Sequence, residues 1–203
     1  MVTKAFLSRR RFAVLLFFAV LLPAATPLLG QAAQPPATIY LIRHAEKLTD
    51  GREDLSWQGF LRAAELPALF LPPVFPTITP PRPLLAKPDY LFATSPSKHS
   101  NRPYETIMPL SSALNLPIAN SIANDDYAQL AQLLLSGKYA GKIVLVAWHH
   151  GNLPQLATAL GATPPYKWPE TQFDRIWRID YAAGTGKAML TDLPQHLLPG
   201  DSR

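Results

Sequence analysis

The 203-residue chain has no cysteine. That excludes a disulfide scaffold, a thiolate zinc site, an iron–sulfur cluster and a thiol nucleophile. Charged residues are few, 16% against 48% apolar, a balance that argues against wholesale disorder. No Gly-x-Ser-x-Gly occurs, which disfavours a serine hydrolase built on a nucleophile elbow. The P-loop and dinucleotide fingerprints are missing too, since Gly184-Thr185-Gly186 falls in a late turn between two predicted strands. Nor is there a His-Glu-x-x-His or comparable spacing, so no metal site is expected. At this length one domain is expected, burying roughly 70% of its unfolded surface without a staple.

Acidic residues are absent from the first 45 positions. The net charge of +5 and a pI near 9.6 invite a nucleic-acid or membrane-surface reading. Its placement argues otherwise, because Lys4, Arg9, Arg10 and Arg11 precede an apolar run, Phe12 to Leu22, that Pro23 ends. Eleven helical residues span about 16 Å, too short for a bilayer core of about 30 Å. A basic stretch, a short apolar run and small residues at Gly30 and Ala32 have the layout of a secretory signal peptide; the alternative is an uncleaved anchor. Ser8 to Phe12 also resembles a twin-arginine signal, while the apolar run suits the general secretory route equally. The expected organisation is a signal peptide over 1–32, a linker over 33–37 and a domain over 38–203, exported to a periplasm or secreted. Without residues 1–32 the chain keeps 15 basic and 14 acidic residues, so neither nucleic acid nor a stable membrane span is expected of it.

Within the domain, Thr38 to Ile42, Tyr90 to Thr94 and Ile143 to Trp148 are apolar, β-branched runs that read as buried parallel strands. Ser56 caps a predicted helix with Trp57, Phe60, Leu61 and Ala64 on one face. Seven prolines between Leu71 and Pro88 read as a connecting loop. Pro103 opens a helix carrying Ile107, Leu110 and Leu114; Asn124 or Asp125 caps another with Tyr127, Leu130, Ala131 and Leu134 inward; Pro154 to Leu160 is a third, stopped by Gly161. Arg175 to Tyr181 and Lys187 to Leu190 pair as a hairpin, with Trp168, Phe173, Trp177 and Tyr181 in the core. The order predicts an α/β three-layer sandwich, a mainly parallel central sheet with helices on both faces.

Ligands of such sheets bind beyond the carboxyl ends of the strands. Arg43-His44-Ala45-Glu46 follows the first strand, Ser95 and then Arg102 the second, and His149-His150-Gly151-Asn152 the third. Two arginines and up to three histidines at one edge fit a phosphoryl group: guanidiniums fork onto its oxygens, and imidazoles attack or stabilise it.

Ile39 to Glu46 resembles the signature of the histidine phosphatase superfamily, of phosphoglycerate mutase-like fold. Leu55-Ser56, Gly59 and Arg62-Ala63 match the helix that follows it. Phe92 to Ser95 with Arg102, Glu105 and Thr106 resembles the second block, and Val144 to Asn152 the third. The resemblance spans about residues 38 to 160. It implies His44 as nucleophile, with Arg43, Arg102, Ser95 and a second histidine on the phosphoryl oxygens, and no cofactor. Alignment on His-Gly-Asn favours His150 as the catalytic second histidine, leaving His149 at the phosphate, at the rim or packed against the sheet; counting from the strand start favours His149. For the general acid the interval between blocks offers Asp125 and Asp126, the other reading of Asp125 being a helix cap, and Glu46 is a second candidate. Glu105 is expected to support Thr106 and Arg102, and His99 and His196 to be solvated. Two functions follow: hydrolysis of a small phosphomonoester through phosphohistidine, or non-catalytic binding of a phosphorylated ligand on the same fold.

Overall fold

The computed structural model describes residues 1, 34–72 and 84–202. The expected signal peptide, Met1 aside, lies outside the described residues, as do Ala33 of the linker and 73–83 of the proline-rich connection. Every element below belongs to one compact unit, Gln31–Arg203.

Six strands form a single sheet: β1 (Thr38–Arg43), β2 (Tyr90–Thr94), β3 (Ile118–Ile122), β4 (Ile143–Trp148), β5 (Arg175–Tyr181) and β6 (Ala188–Pro194), in the order β3-β2-β4-β1-β5-β6. The first four in that order run parallel; β5 lies antiparallel to β1 and makes a hairpin with β6. β1 and β4 occupy the centre, where both faces are covered, and their continuous apolar runs satisfy both sides.

Alternate residues of the central strands feed two cores. Ile39, Leu41, Val144, Val146 and Trp148 pack against α3 (Tyr127–Leu135) and α4 (Leu153–Ala159). Tyr40, Ile42, Leu145 and Ala147 pack against Ile107 and Leu110 of α2 (Arg102–Leu114) and against Leu66, Leu69 and Phe70. α1 (Trp57–Glu65) lies beside α2, its Ala63 packed with Ala45 and Leu55. The α/β three-layer arrangement is therefore the expected one.

Four local expectations are corrected. The face of α1 is not Trp57, Phe60, Leu61 and Ala64: Trp57 is 77% exposed, and Gly59, Arg62 and Ala63 are buried instead. Gly59 lies so close to the backbone of residue 46 that a Cβ there would stand 2.3 Å from the Glu46 carbonyl oxygen, and Arg62 meets buried carboxylates. These partners are remote in sequence, so helical periodicity does not reveal them. β3 was not anticipated, because Ile118-Ala119-Asn120-Ser121-Ile122 is a half-polar edge strand with no apolar run. β6 starts one residue later than expected and runs on to Pro194. Asp125 caps no helix; α3 begins after a short 3₁₀ turn over Asn124–Asp126 without a side-chain cap.

Candidate functional site

The site grows out of the β1–β4 register. The last Cα pair of that ladder is Arg43 and Trp148, and the His44 amide then donates to the Trp148 carbonyl at 3.0 Å. His44 and His149 are thus neighbours one step beyond the ladder, of the same parity. Their rings meet edge-on, centroids 5.1 Å apart. His150 has the parity of Arg43, and that guanidinium is the leading charge acting on it.

His44 is buried. Its Nδ1 lies 2.7 Å from the Ala45 carbonyl oxygen. A carbonyl only accepts, so Nδ1 carries the proton and Nε2 keeps a free lone pair. Burial pushes the His44 pKa well below the ordinary 6.5; the Ala45 hydrogen bond opposes this, and His149, Arg43 and Arg102 add to it. Burial likewise brings His149 down to about 4, helped by Arg102, His150 and Arg43 and opposed by Asp125. The His150 pKa is lowered as well, by burial and then by Arg43. These imidazoles are neutral at pH 7.

Arg43 is buried, and its Nη1 donates to the carbonyls of Pro169, Glu170 and Gln172. Its Nε and Nη2 are buried with no protein partner. The guanidinium carbon stands 3.8 Å from the centroid of Phe173, whose ring is 6.1 Å from that of His44. Burial lowers the Arg43 pKa to about 10, with Glu170 opposing, and leaves it charged at neutral pH. Arg102, in the first turn of α2, donates through Nη1 to the carbonyls of Arg52 and Glu53, and its Nε is also buried without a partner. Thr106, one turn on, accepts from the Ala45 amide at 2.8 Å and donates to the Arg102 carbonyl at 2.7 Å. A single side chain therefore ties the loop after β1 to the helix carrying the second arginine. Glu105 grips a different segment from the one expected: it accepts from the Leu55 amide at 2.9 Å.

The two candidate acids stand apart. Glu46 is held by Arg62, with Nε and Nη2 both within 3.1 Å of its oxygens. That ion pair is nearly buried and anchors the loop after β1. Asp125 is exposed; it accepts from Asn152 Nδ2 at 2.9 Å and from Asn124 Nδ2, and its charge acts on His149. Ser95 closes β2, its amide bonded to the Ile122 carbonyl. His99 and His196 are exposed.

Phe173 is the residue that sequence reasoning misplaced: it forms the platform under Arg43 instead of joining the core, where Trp168 and Trp177 do lie. Only its proximity to the strand start at Arg175 hinted at a place near the sheet. Two clefts border the segments that carry these residues. One, about 490 Å³, is lined by Gly151, Pro154 and Lys167 among others; the second, about 710 Å³, by Glu46, Arg62, Phe173 and Asp201 among others. Among the described residues no group of three or more His, Cys, Asp or Glu side chains gathers as a metal site.

No protein-family model and no curated protein matches the chain. Solved structures do. The chain is similar to the protein histidine phosphatase SixA complexed with tungstate, at 17% identity over 78% of this chain and 97% of that one, TM-score 0.47. It is also similar to the alpha-ribazole phosphatase from Shigella flexneri, at 16% identity over 77% and 96%, TM-score 0.46. Both of these solved structures are phosphatases.

Proposed function

We propose that the protein is a phosphomonoesterase working through a phosphohistidine on His44. The observation that carries this reading is the fixed tautomer of a buried, neutral His44, flanked by His149 and by two arginines with unpartnered buried nitrogens. A nucleophile needs that lone pair, and a phosphoryl group needs those donors.

In the first step His44 Nε2 attacks phosphorus, the N–P bond forms, and the P–O bond to the leaving alcohol breaks. The departing oxygen takes its proton from Asp125. In the second step water attacks phosphorus, Asp125 takes the proton, and inorganic phosphate leaves as His44 is restored. Arg43 Nε and Nη2, Arg102 Nε and His149 hold the phosphoryl oxygens as charge spreads over them. Cationic side chains supply the electrostatic stabilisation, so the reaction is proposed to need no metal. His149 takes the place beside the nucleophile that alignment on His-Gly-Asn assigned to His150; the 5.1 Å ring contact and shared parity support the exchange. His150 lies towards Arg43 and the rim. Export is part of the proposal and rests on the residue pattern over 1–32.

The test is hydrolysis of p-nitrophenyl phosphate by the purified protein in EDTA between pH 4 and 8, with His44→Ala alongside. Turnover abolished by His44→Ala, and an acid-labile phosphoenzyme on quenching, are expected. Tight binding of inorganic phosphate without turnover would instead favour a non-catalytic binder of phosphorylated ligands.

A further inference from the structure

We propose that Arg62 and Asp201 are positioning residues for His44, holding Glu46 so that the Ala45 carbonyl keeps the imidazole proton on Nδ1. The inference deepens the phosphatase reading and rests on it only for its kinetic consequence.

The argument starts at a peptide plane. The Ala45 carbonyl, which receives the His44 Nδ1 proton, and the Glu46 amide belong to one planar unit. Whatever fixes residue 46 therefore fixes the acceptor that sets the tautomer. Residue 46 is fixed from three sides, all from α1 or its cap. Its carbonyl accepts from the Ser56 amide at 2.9 Å. Its backbone abuts Gly59, where a Cβ would come within 3.1 Å of the Glu46 nitrogen. Its carboxylate is forked by Arg62, one turn after Gly59 on the same face.

Arg62 is itself saturated. Nε and Nη2 serve Glu46; Nη2 also reaches Asp201 Oδ1 at 2.8 Å, and Nη1 reaches Asp201 Oδ2 at 2.9 Å and Gln195 Oε1 at 3.1 Å. The residue is 3% exposed. Burial by itself lowers its pKa, but the bonds to Asp201 and Glu46 more than reverse this and raise it. Asp201 is locked in turn by the amides of Leu197 and Leu198, and Ser202 is tied to Asp174. The C-terminal turn thus delivers a carboxylate to the back of the catalytic loop. A lysine at position 62 has one ammonium for three partners and cannot reproduce the fork.

The test uses the full chain labelled with ¹⁵N-histidine, because imidazole nitrogen shifts report the tautomer whether or not the protein turns over. Arg62→Met is expected to give a second His44 tautomer. It is also expected to lower kcat about 10²-fold, the scale of a misplaced reacting group. KM should stay within about twofold, as for an interaction used only in the transition state. Arg62→Lys should fall between Arg62→Met and wild type. If Arg62→Met does not fold, Asp201→Asn carries the same readouts with smaller effects. A folded variant that keeps the wild-type tautomer overturns the proposal, whatever its activity. A wild-type protein without turnover overturns the phosphatase reading alone, and the tautomer measurement still decides this one.

Discussion

His44 and His149 face each other edge-on across 5.1 Å because each follows a strand whose final ladder partner is the other's neighbour, Arg43 opposite Trp148. The site is thus a product of register. Parallel pairing of the two central strands puts two imidazoles of the same parity beyond the sheet. Arg43 is received by the carbonyls of Pro169, Glu170 and Gln172 and by Phe173, whose ring also stands 6.1 Å from that of His44.

That register makes the two adjacent histidines separable by mutation. Removing one pre-aimed donor from a developing oxyanion typically costs about 10²–10³ in kcat. His149→Ala is expected to show a loss of that order with p-nitrophenyl phosphate, whereas His150→Ala should keep kcat within about tenfold and act mainly on KM. The reverse ranking in steady-state kinetics would return the role to His150.

Buried neutral imidazoles make stability pH-dependent. An unfolded histidine titrates near 6.5, and folded His149 near 4. Between those values the unfolded chain binds more protons, so the contribution of His149 is complete above about pH 6.5, is lost as pH falls, and is gone below about 4. His149 alone contributes at most about 3 kcal/mol to that loss, and His44, also lowered, adds in the same direction. Urea melts at pH 7 and pH 4.5 measure it, and His149→Phe should flatten the difference. Equal midpoints at the two pH values in the wild type would contradict a buried neutral pair.

Much of this was legible in the residues, and the reason is local. β1, β2 and β4 are continuous apolar runs bounded by polar or proline-rich turns, so their ends are marked, and the residues beyond those ends make up the candidate site. Three things were not legible, because each depends on a partner distant in sequence. That His149 is the one whose ring meets His44 follows from the β1–β4 register. The buried face of α1 is Gly59, Arg62 and Ala63, a glycine, a charge and a methyl, which look weak beside Trp57 and Phe60 until Glu46 and Asp201 are seen behind them. Phe173 reads as core by composition and becomes a platform only because Arg43 lies over it.

The two faces of α1 predict opposite outcomes. Trp57 is 77% exposed, and Trp57→Gln should change stability by no more than about 0.5 kcal/mol. A methyl at position 59 would stand 2.3 Å from the Glu46 carbonyl oxygen. Gly59→Ala must therefore push helix or loop aside, at about 1–3 kcal/mol for an overpacked contact. Thermal melts give the stability term, and kinetics on the folded Gly59→Ala protein should show reduced kcat, because the displaced segment begins two residues after His44.

Arg43 is asked to do two things at once, and a lysine can do only one. Its Nη1 gathers the carbonyls of Pro169, Glu170 and Gln172, while Nε and Nη2 remain buried without protein partners. The guanidinium plane permits this division; a single ammonium must choose between the loop and the phosphoryl oxygens. The loop carbonyls are always present, whereas substrate comes and goes, so Arg43→Lys should keep the 169–172 segment in place and lose the phosphoryl contact. Stability should then change less than in Arg43→Met, which abandons three carbonyls and a buried ring face. Turnover of Arg43→Lys should drop by about 10²–10³, and inhibition by the product phosphate should weaken in parallel. Full turnover in Arg43→Lys would mean that the unpartnered nitrogens do not meet the phosphoryl group.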